Sequence, residues 1–224
     1  MSQIMELIFC YPYATIFHLA TLIHPEQPNR VHFTNEQIEI ILNGCRLNQR
    51  GAQKELYRKY YGYAMSIALR YASNYDNAVE MVNDAFLKIY RDLKNFVPRY
   101  DNTVASFTAW LKQVVICACI DHIRKYNKKE MMTSVDPEQV VVADERETAE
   151  QMLQHKEIIK CIQQLSPAYK AVFNLYVIEG FSHAEIADKL NISENTSKSN
   201  LHKARQNLQQ LVKKSNIISY ERTL

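Results

Sequence analysis

Apolar residues recur along most of this chain at steps of three and four, the period of a helix face rather than of a strand. Thr34 followed by Gln37 has capping-box spacing, and Ile38, Ile41 and Leu42 then form one stripe, which predicts a short helix. Leu56, Tyr60, Tyr63, Ala64, Ile67 and Tyr71 predict a longer one over about 50–72. Asn74, Tyr75 and Asp76 interrupt the pattern, with Asp76 suited to cap a third helix. That helix is expected to bury Val79, Val82, Phe86, Ile89 and Leu93 and to turn Glu80, Asn83, Asp84, Lys88 and Arg91 outward. After a turn at 97–102, Phe107, Trp110, Leu111, Val114, Val115 and Ala118 predict a fourth helix, with the sole Trp in its buried stripe. The same helix then becomes basic at Arg124, Lys125, Lys128 and Lys129. Such an end suits the helix dipole as a solvated terminus, and equally suits nucleic acid, because His122 and Tyr126 interleave the cations.

Beyond residue 127 the periodicity fades into an acidic stretch with Pro137 and a short valine run, about 20 residues long and unusual inside one compact domain. It reads as a linker, 128–150, between helical domains at 34–127 and 151–214, with an apolar extension at 1–33 and a tail at 215–224. In the second domain Met152, Ile158, Ile159 and Ile162 begin one helix, and Ser166 with Pro167 marks the next by cap and first-position proline. Val172, Phe173, Leu175, Tyr176 and Ile178 continue that helix to Glu179 and Gly180.

The stretch FSHAEIADKLNISENTSKSNLHKARQNL, starting at Phe181, carries the most chemistry. Ser182 and Glu185 form a capping box, and Ala184, Ile186, Ala187 and Leu190 supply the inner face of a two-turn helix. Asn191 stands where the chain must turn and tolerates the left-handed conformation, Ile192 plugs the turn, and Ser193 caps a second helix reaching about Lys213. This is helix-turn-helix spacing. The second helix is expected to bury Leu201, Ala204 and Leu208 and to present Lys198, Ser199, His202, Lys203 and Arg205. Lys and Arg neutralise phosphates or read guanine edges, and Ser, Asn and His are short enough to approach bases in the major groove.

Composition narrows the class. Four Gly and six Pro in 224 residues argue against many-hairpin sheet folds, and no Gly-rich phosphate cradle occurs, so the chain reads as all-helical and not an enzyme. The His and acidic residues are dispersed, with no nucleophile, base and orienter set, and neither a cofactor nor a metal is expected. A net charge of +3 implies little by itself, but its distribution does. Residues 195–216 hold five Lys or Arg and no acid, while 130–150 hold seven acids and one Arg, which suggests different partners for different segments. The five cysteines, Cys10, Cys45, Cys117, Cys119 and Cys161, lack metal spacing and read as thiols in a reducing compartment, cytoplasmic rather than secreted. The apolar run at 4–23 contains Glu6, Pro12 and His18 and lacks the flanks of a secretory signal, and it is a weak membrane span.

LSPAYKAVFNLYVIEGFSHAEIADKLNISENTSKSNLHKAR, from Leu165, resembles the promoter-reading C-terminal domain of bacterial extracytoplasmic-function sigma factors of the sigma-70 family. ELYRKYYGYAMSIALRY, DNAVEMVNDAFLKIYRDL and SFTAWLKQVVICACIDHIRK, from Glu55, Asp76 and Ser106, resemble that family's N-terminal domain. The resemblance implies a sigma-2-like bundle joined by the acidic linker to a sigma-4-like four-helix domain, in a dissociable subunit that takes core RNA polymerase to promoters and helps melt DNA. It implies polymerase contact, on the largest-subunit clamp, through Glu80, Asn83, Asp84 and Leu87, with further contact at the flap. Minus-10 binding and melting would fall to Cys117, Asp121, His122, Arg124, Lys125 and Lys128. Minus-35 reading would fall to Thr196, Lys198, Ser199, Asn200, His202, Lys203 and Arg205. An anti-sigma factor is an implied partner, and the acidic linker would mimic a polyanion in a basic channel. Three positions depart from the family pattern: Cys117 stands where Asn is common, Ser197 where an apolar residue is usual, and Asn200 where a basic one is common. The pattern starts near Val31, and valine codons include an alternative bacterial start, so native peptides upstream of Val31 would reject an over-extended gene model. The competing readings are a helix-turn-helix regulator that binds DNA without polymerase and a degenerate sigma-like protein that sequesters a partner.

Overall fold

The computed structural model describes residues 33–127 and 158–214, which fall in two compact units. Every regular element among the described residues is helical. In the first unit α1 (Asn35–Arg46), α2 (Arg50–Tyr71), α3 (Tyr75–Asp92), a single 3-10 turn (Leu93–Asn95) and α4 (Thr103–Asn127) follow one another. The expected capping box opens α1: the Gln37 amide donates to Thr34 Oγ1 at 3.2 Å and the Thr34 amide to Gln37 Oε1 at 3.1 Å. The turn after α1 places Asn48 at a φ of 55°. Gly44 is required by proximity, because a Cβ there would lie 2.6 Å from the Ala52 Cβ of α2.

The stripe read from α2 is buried at Leu56, Tyr60, Ala64, Ile67 and Tyr71, leaving Tyr63 half-buried. Tyr60 stands edge-on to Phe107 of α4 at 5.2 Å between centroids, and Phe107 meets Phe96 and Trp110 in one aromatic cluster. Trp110 itself is half-buried at the edge of this cluster, so the Trp seals the core rather than filling it. At its start α4 is tied back to α1, since Thr103 Oγ1 donates to Glu39 at 2.9 Å. Asn74 caps α3, accepting from the Asn77 amide at 2.8 Å, and Asp76 lies in the first turn instead. Asn74 stands two residues before Asp76, just outside the helix, where an extended backbone can swing its side chain over the first turn. Val82, Phe86, Ile89 and Leu93 are buried as read; Val79 is only half-buried, and Ala78, Met81 and Ala85 share the buried face.

The second unit begins with helical residues 158–163 (α5), continues through α6 (Pro167–Phe173), and ends in α7 (His183–Leu190) and α8 (Glu194–Lys214). Pro167 takes the first position of α6 as expected, but the Ser166 side chain makes no capping bond. Helix α6 widens into a π turn over Asn174–Ile178, and Gly180 then reverses the chain at a φ of 77°. Phe173, Leu175, Val177 and Ile178 are buried there, and α8 packs against both α6 and α7. The linker, the N-terminal extension, the tail and Met152 lie outside the described residues.

Candidate nucleic-acid interface

The helix-turn-helix is built as its residues dictate. The Glu185 amide donates to Ser182 Oγ at 3.2 Å and the Ser182 amide to Glu185 Oε2 at 2.8 Å, completing the capping box of α7. These bonds from Ser182 hold the Glu185 carboxyl below its ordinary range. Asn191 ends α7 in the left-handed region at φ 54° and ψ 51°, and the next amide, of Ile192, returns to the Ala187 carbonyl at 3.1 Å. Ser193 caps α8, accepting from the Thr196 amide at 3.0 Å. The inner face of α7 is narrower than its sequence suggests: Ile186 is fully buried, Ala187 and Leu190 are half-buried, and Ala184 is exposed. With only two turns, α7 presents little more than one residue squarely to α8.

Helix α8 buries Leu201, Ala204, Leu208 and Val212 and leaves Thr196, Lys198, Ser199, His202 and Lys203 exposed, with Asn200 and Arg205 half-exposed. All seven residues expected to read DNA are therefore accessible on one helix. Two of their hydroxyls already serve the first turn: Thr196 Oγ1 lies 2.8 Å from Ser193 Oγ, and Ser199 donates to the Thr196 carbonyl at 3.0 Å. Lys198 lies 3.8 Å from Glu194 in a solvent-exposed pair, which contributes little and releases the ammonium readily to a phosphate.

Sequence reading missed the polar contact beneath this face. Ser197 is 0% exposed, and its Oγ lies 2.9 Å from Nδ1 of His183 at the start of α7. The His183 ring stacks on Tyr176 of the π turn, with centroids 4.4 Å apart and planes at 23°. Burial, then Lys198, push the His183 pKa down; Glu194 opposes this and Arg205 adds a smaller push downward, so the ring favours its neutral form. A His and a Ser fourteen residues apart give no periodic signal in a sequence.

On α4, Cys117, Asp121, Arg124 and Lys125 are exposed along one stripe. His122 is the exception among the residues expected to melt DNA. It is 6% exposed, on the inward face with buried Ile123, and so is not on the exposed stripe. Its charge-bearing neighbours misled the reading, since 122 falls about 100° round the helix from 121. Asp121 bridges Lys88 of α3 at 2.6 Å and Arg124 at 3.6 Å, which ties the stripe to α3. Gln113, one turn before Cys117, is exposed on the same stripe. The Tyr126 side chain, Lys128 and Lys129 lie outside the described residues.

On α3, Asn83, Asp84 and Leu87 are exposed and Glu80 is half-exposed, at spacings that align them in one row. Leu87 is 67% exposed, a large apolar side chain in an otherwise acidic and polar strip. Tyr57 of α2 donates its hydroxyl to Asn83 Oδ1 at 3.0 Å, a contact absent from the sequence reading. Among the cysteines, Cys45, Cys119 and Cys161 are buried and Cys117 exposed; burial pushes the Cys45 thiol up to about 11, which makes it unreactive at neutral pH. Among the described residues no three His, Cys, Asp or Glu side chains gather as a metal-binding group.

Comparison with known proteins matches both units. Residues 56–129 match the family model of sigma-70 region 2, and residues 155–208 that of sigma-70 region 4, together more than half of the chain. The chain is 24% identical over 164 residues to the ECF RNA polymerase sigma factor SigE of Mycolicibacterium smegmatis, covering 71% of this chain and 61% of that protein, less than two thirds of its length. It is 27% identical over 158 residues to the ECF RNA polymerase sigma factor SigM of Bacillus subtilis, covering 70% of this chain and 93% of the relative. A solved structure of the sigma factor RpoE in complex with the anti-sigma factor NepR from Bartonella quintana aligns with 71% of this chain and 96% of its own, at 19% identity and a TM-score of 0.47. Two regions of one family in their expected order, each on a unit whose helices carry the motifs read from the sequence, place the chain in the extracytoplasmic-function group of sigma-70 family sigma factors.

Proposed function

We propose that the protein is a dissociable initiation subunit that binds core RNA polymerase in the cytoplasm, directs it to a specific set of promoters and assists strand opening. The observation that carries this reading is the pairing, in one chain, of a formed helix-turn-helix and a region 2 unit with an exposed row at Glu80, Asn83, Asp84 and Leu87. Each half has its own task in the proposal. The row on α3 docks on the polymerase clamp: carboxylates supply orientation and on-rate, and Leu87 supplies the apolar burial.

The exposed α4 stripe then faces the minus-10 element. Arg124 and Lys125 take backbone phosphates, and Cys117 lines the place where an unpaired base is received. Extruding a base costs a few kcal/mol, which phosphate contacts and stacking offset. Cys117 offers a weak donor where relatives commonly carry an amide, so the preferred base there differs from the family's usual one. Helix α8 enters the major groove at minus-35 with Thr196, Lys198, Ser199, Asn200, His202, Lys203 and Arg205 forward. Bond-making chemistry stays with the polymerase, and this chain needs no cofactor for its part. An anti-sigma factor that covers these same surfaces is a further expected partner.

Charge reversal tests the docking row. A variant carrying E80K and D84K is expected to lose competition against the primary sigma factor for core polymerase while keeping its helix content and melting temperature. Undiminished competition would remove this row from the contact. Tight promoter binding by the free chain, without polymerase, would instead favour an ordinary helix-turn-helix regulator.

A further inference from the structure

Resting on that proposed promoter-reading role, we infer that His183 is a positioning residue for minus-35 recognition: its hydrogen bond to buried Ser197 sets how recognition helix α8 seats on α7. Ser197 lies inside the first turn of α8, between Thr196 and Lys198, both of which are on the proposed reading face. A small rotation at this residue therefore moves the groove-facing side chains directly. Its hydroxyl is fully withdrawn from water and needs a partner. That partner comes from another helix, His183 Nδ1 at 2.9 Å.

The ring is not free to follow wherever the hydroxyl goes. His183 is the first residue of α7, directly after the Ser182 cap, and its plane is held against Tyr176 of the π turn. A continuous line thus runs from Tyr176 through His183 to Ser197 and links α6, α7 and α8 at one level. An apolar pair at this interface would tolerate sliding and rotation, because dispersion contacts have little directionality. A buried hydrogen bond does not, and buried polar contacts of this kind select one arrangement among several of similar packing energy. The depressed pKa of His183 agrees with this role: a neutral ring keeps one nitrogen as donor and one as acceptor, and either tautomer serves, with Ser197 donating or accepting accordingly. The polar pair is placed where it tunes promoter preference without touching DNA.

The test uses holoenzyme assembled from the full chain and core polymerase, on a promoter taken from a start site mapped with the unmodified protein. Two templates, one with the native minus-35 element and one with it substituted, give a discrimination ratio from their transcripts. S197A removes one oxygen, and His183, a half-exposed residue, keeps its stacking on Tyr176, so the fold is kept. The ratio is expected to fall about three- to tenfold in S197A, the range a single net hydrogen bond supports, with core affinity unchanged and the DNA-binding unit still cooperatively folded at the assay temperature. H183F, which keeps a ring on Tyr176 but no acceptor, should match it, the S197A/H183F pair should fall no further than either, and H183N should recover part of the loss. A ratio within twofold of the unmodified protein in S197A, multiplicative loss in the double variant, or a parallel drop in core affinity would overturn the inference while leaving the sigma-factor reading intact. If the unmodified chain initiates at no promoter, both fall together.

Discussion

Replacing Leu87 by Ala isolates the apolar part of the polymerase contact. Leu87 is 67% exposed in the free chain, so about a third of its burial is already realised on α3 and about two thirds is left for a partner. Truncation to Ala removes three carbons, which at about 0.8 kcal/mol per buried CH2 is about 2.4 kcal/mol for full burial. The share still available is therefore about 1.6 kcal/mol, equivalent to about 15-fold in Kd. Stability should not follow, because Ala is the better helix former and little packing is lost at an exposed position. Fluorescence anisotropy of labelled protein titrated with core polymerase, beside a thermal melt of the free protein, separates the two. A Kd within twofold of the unmodified chain, with an unchanged melt, would refute the assignment of this row to the polymerase.

The other predictions address the DNA-binding unit. Lys198→Ala with Arg205→Ala should reduce promoter occupancy by holoenzyme and lower the slope of log affinity against log salt by up to about 1.8, two phosphate contacts' worth; an unchanged slope would show that neither meets the backbone. Asn191→Val forces a β-branched residue to the left-handed φ of 54° and should cost about 1–2 kcal/mol in urea denaturation, whereas Asn191→Gly should be close to neutral. Because His183 titrates below its ordinary value of 6.5 in the folded chain, the unfolded chain takes up the proton first on acidification. Stability should therefore decline as pH falls from that ordinary value through the depressed one, and H183F should remove this portion of the decline in melts collected across the range.

The local signals that proved most legible were those in which chemistry and spacing coincide. Thr34 with Gln37 and Ser182 with Glu185 form the capping boxes their spacing implies, and Asn191 adopts the left-handed turn its side chain tolerates. The α2 stripe and the outward row on α3 follow directly from helical periodicity. What failed were choices between neighbours. Asn74 and Asp76 are both good caps, and only the extended backbone at Asn74 decides between them. His122 and Asp121 are adjacent, and the packing of α4 assigns one to the inward face and the other to the surface. The Tyr57 to Asn83 and His183 to Ser197 bonds join different helices at separations with no period, so they become visible only once the helices are packed.

The most direct test of the central claim is transcription in vitro, with purified full-length protein added to sigma-free core polymerase from a related bacterium on fragmented genomic DNA and RNA 5′ ends mapped. Protein-dependent starts that share two upstream elements at minus-10 and minus-35 spacing are expected. Core binding without such starts, or starts that share no upstream sequence, would contradict that claim.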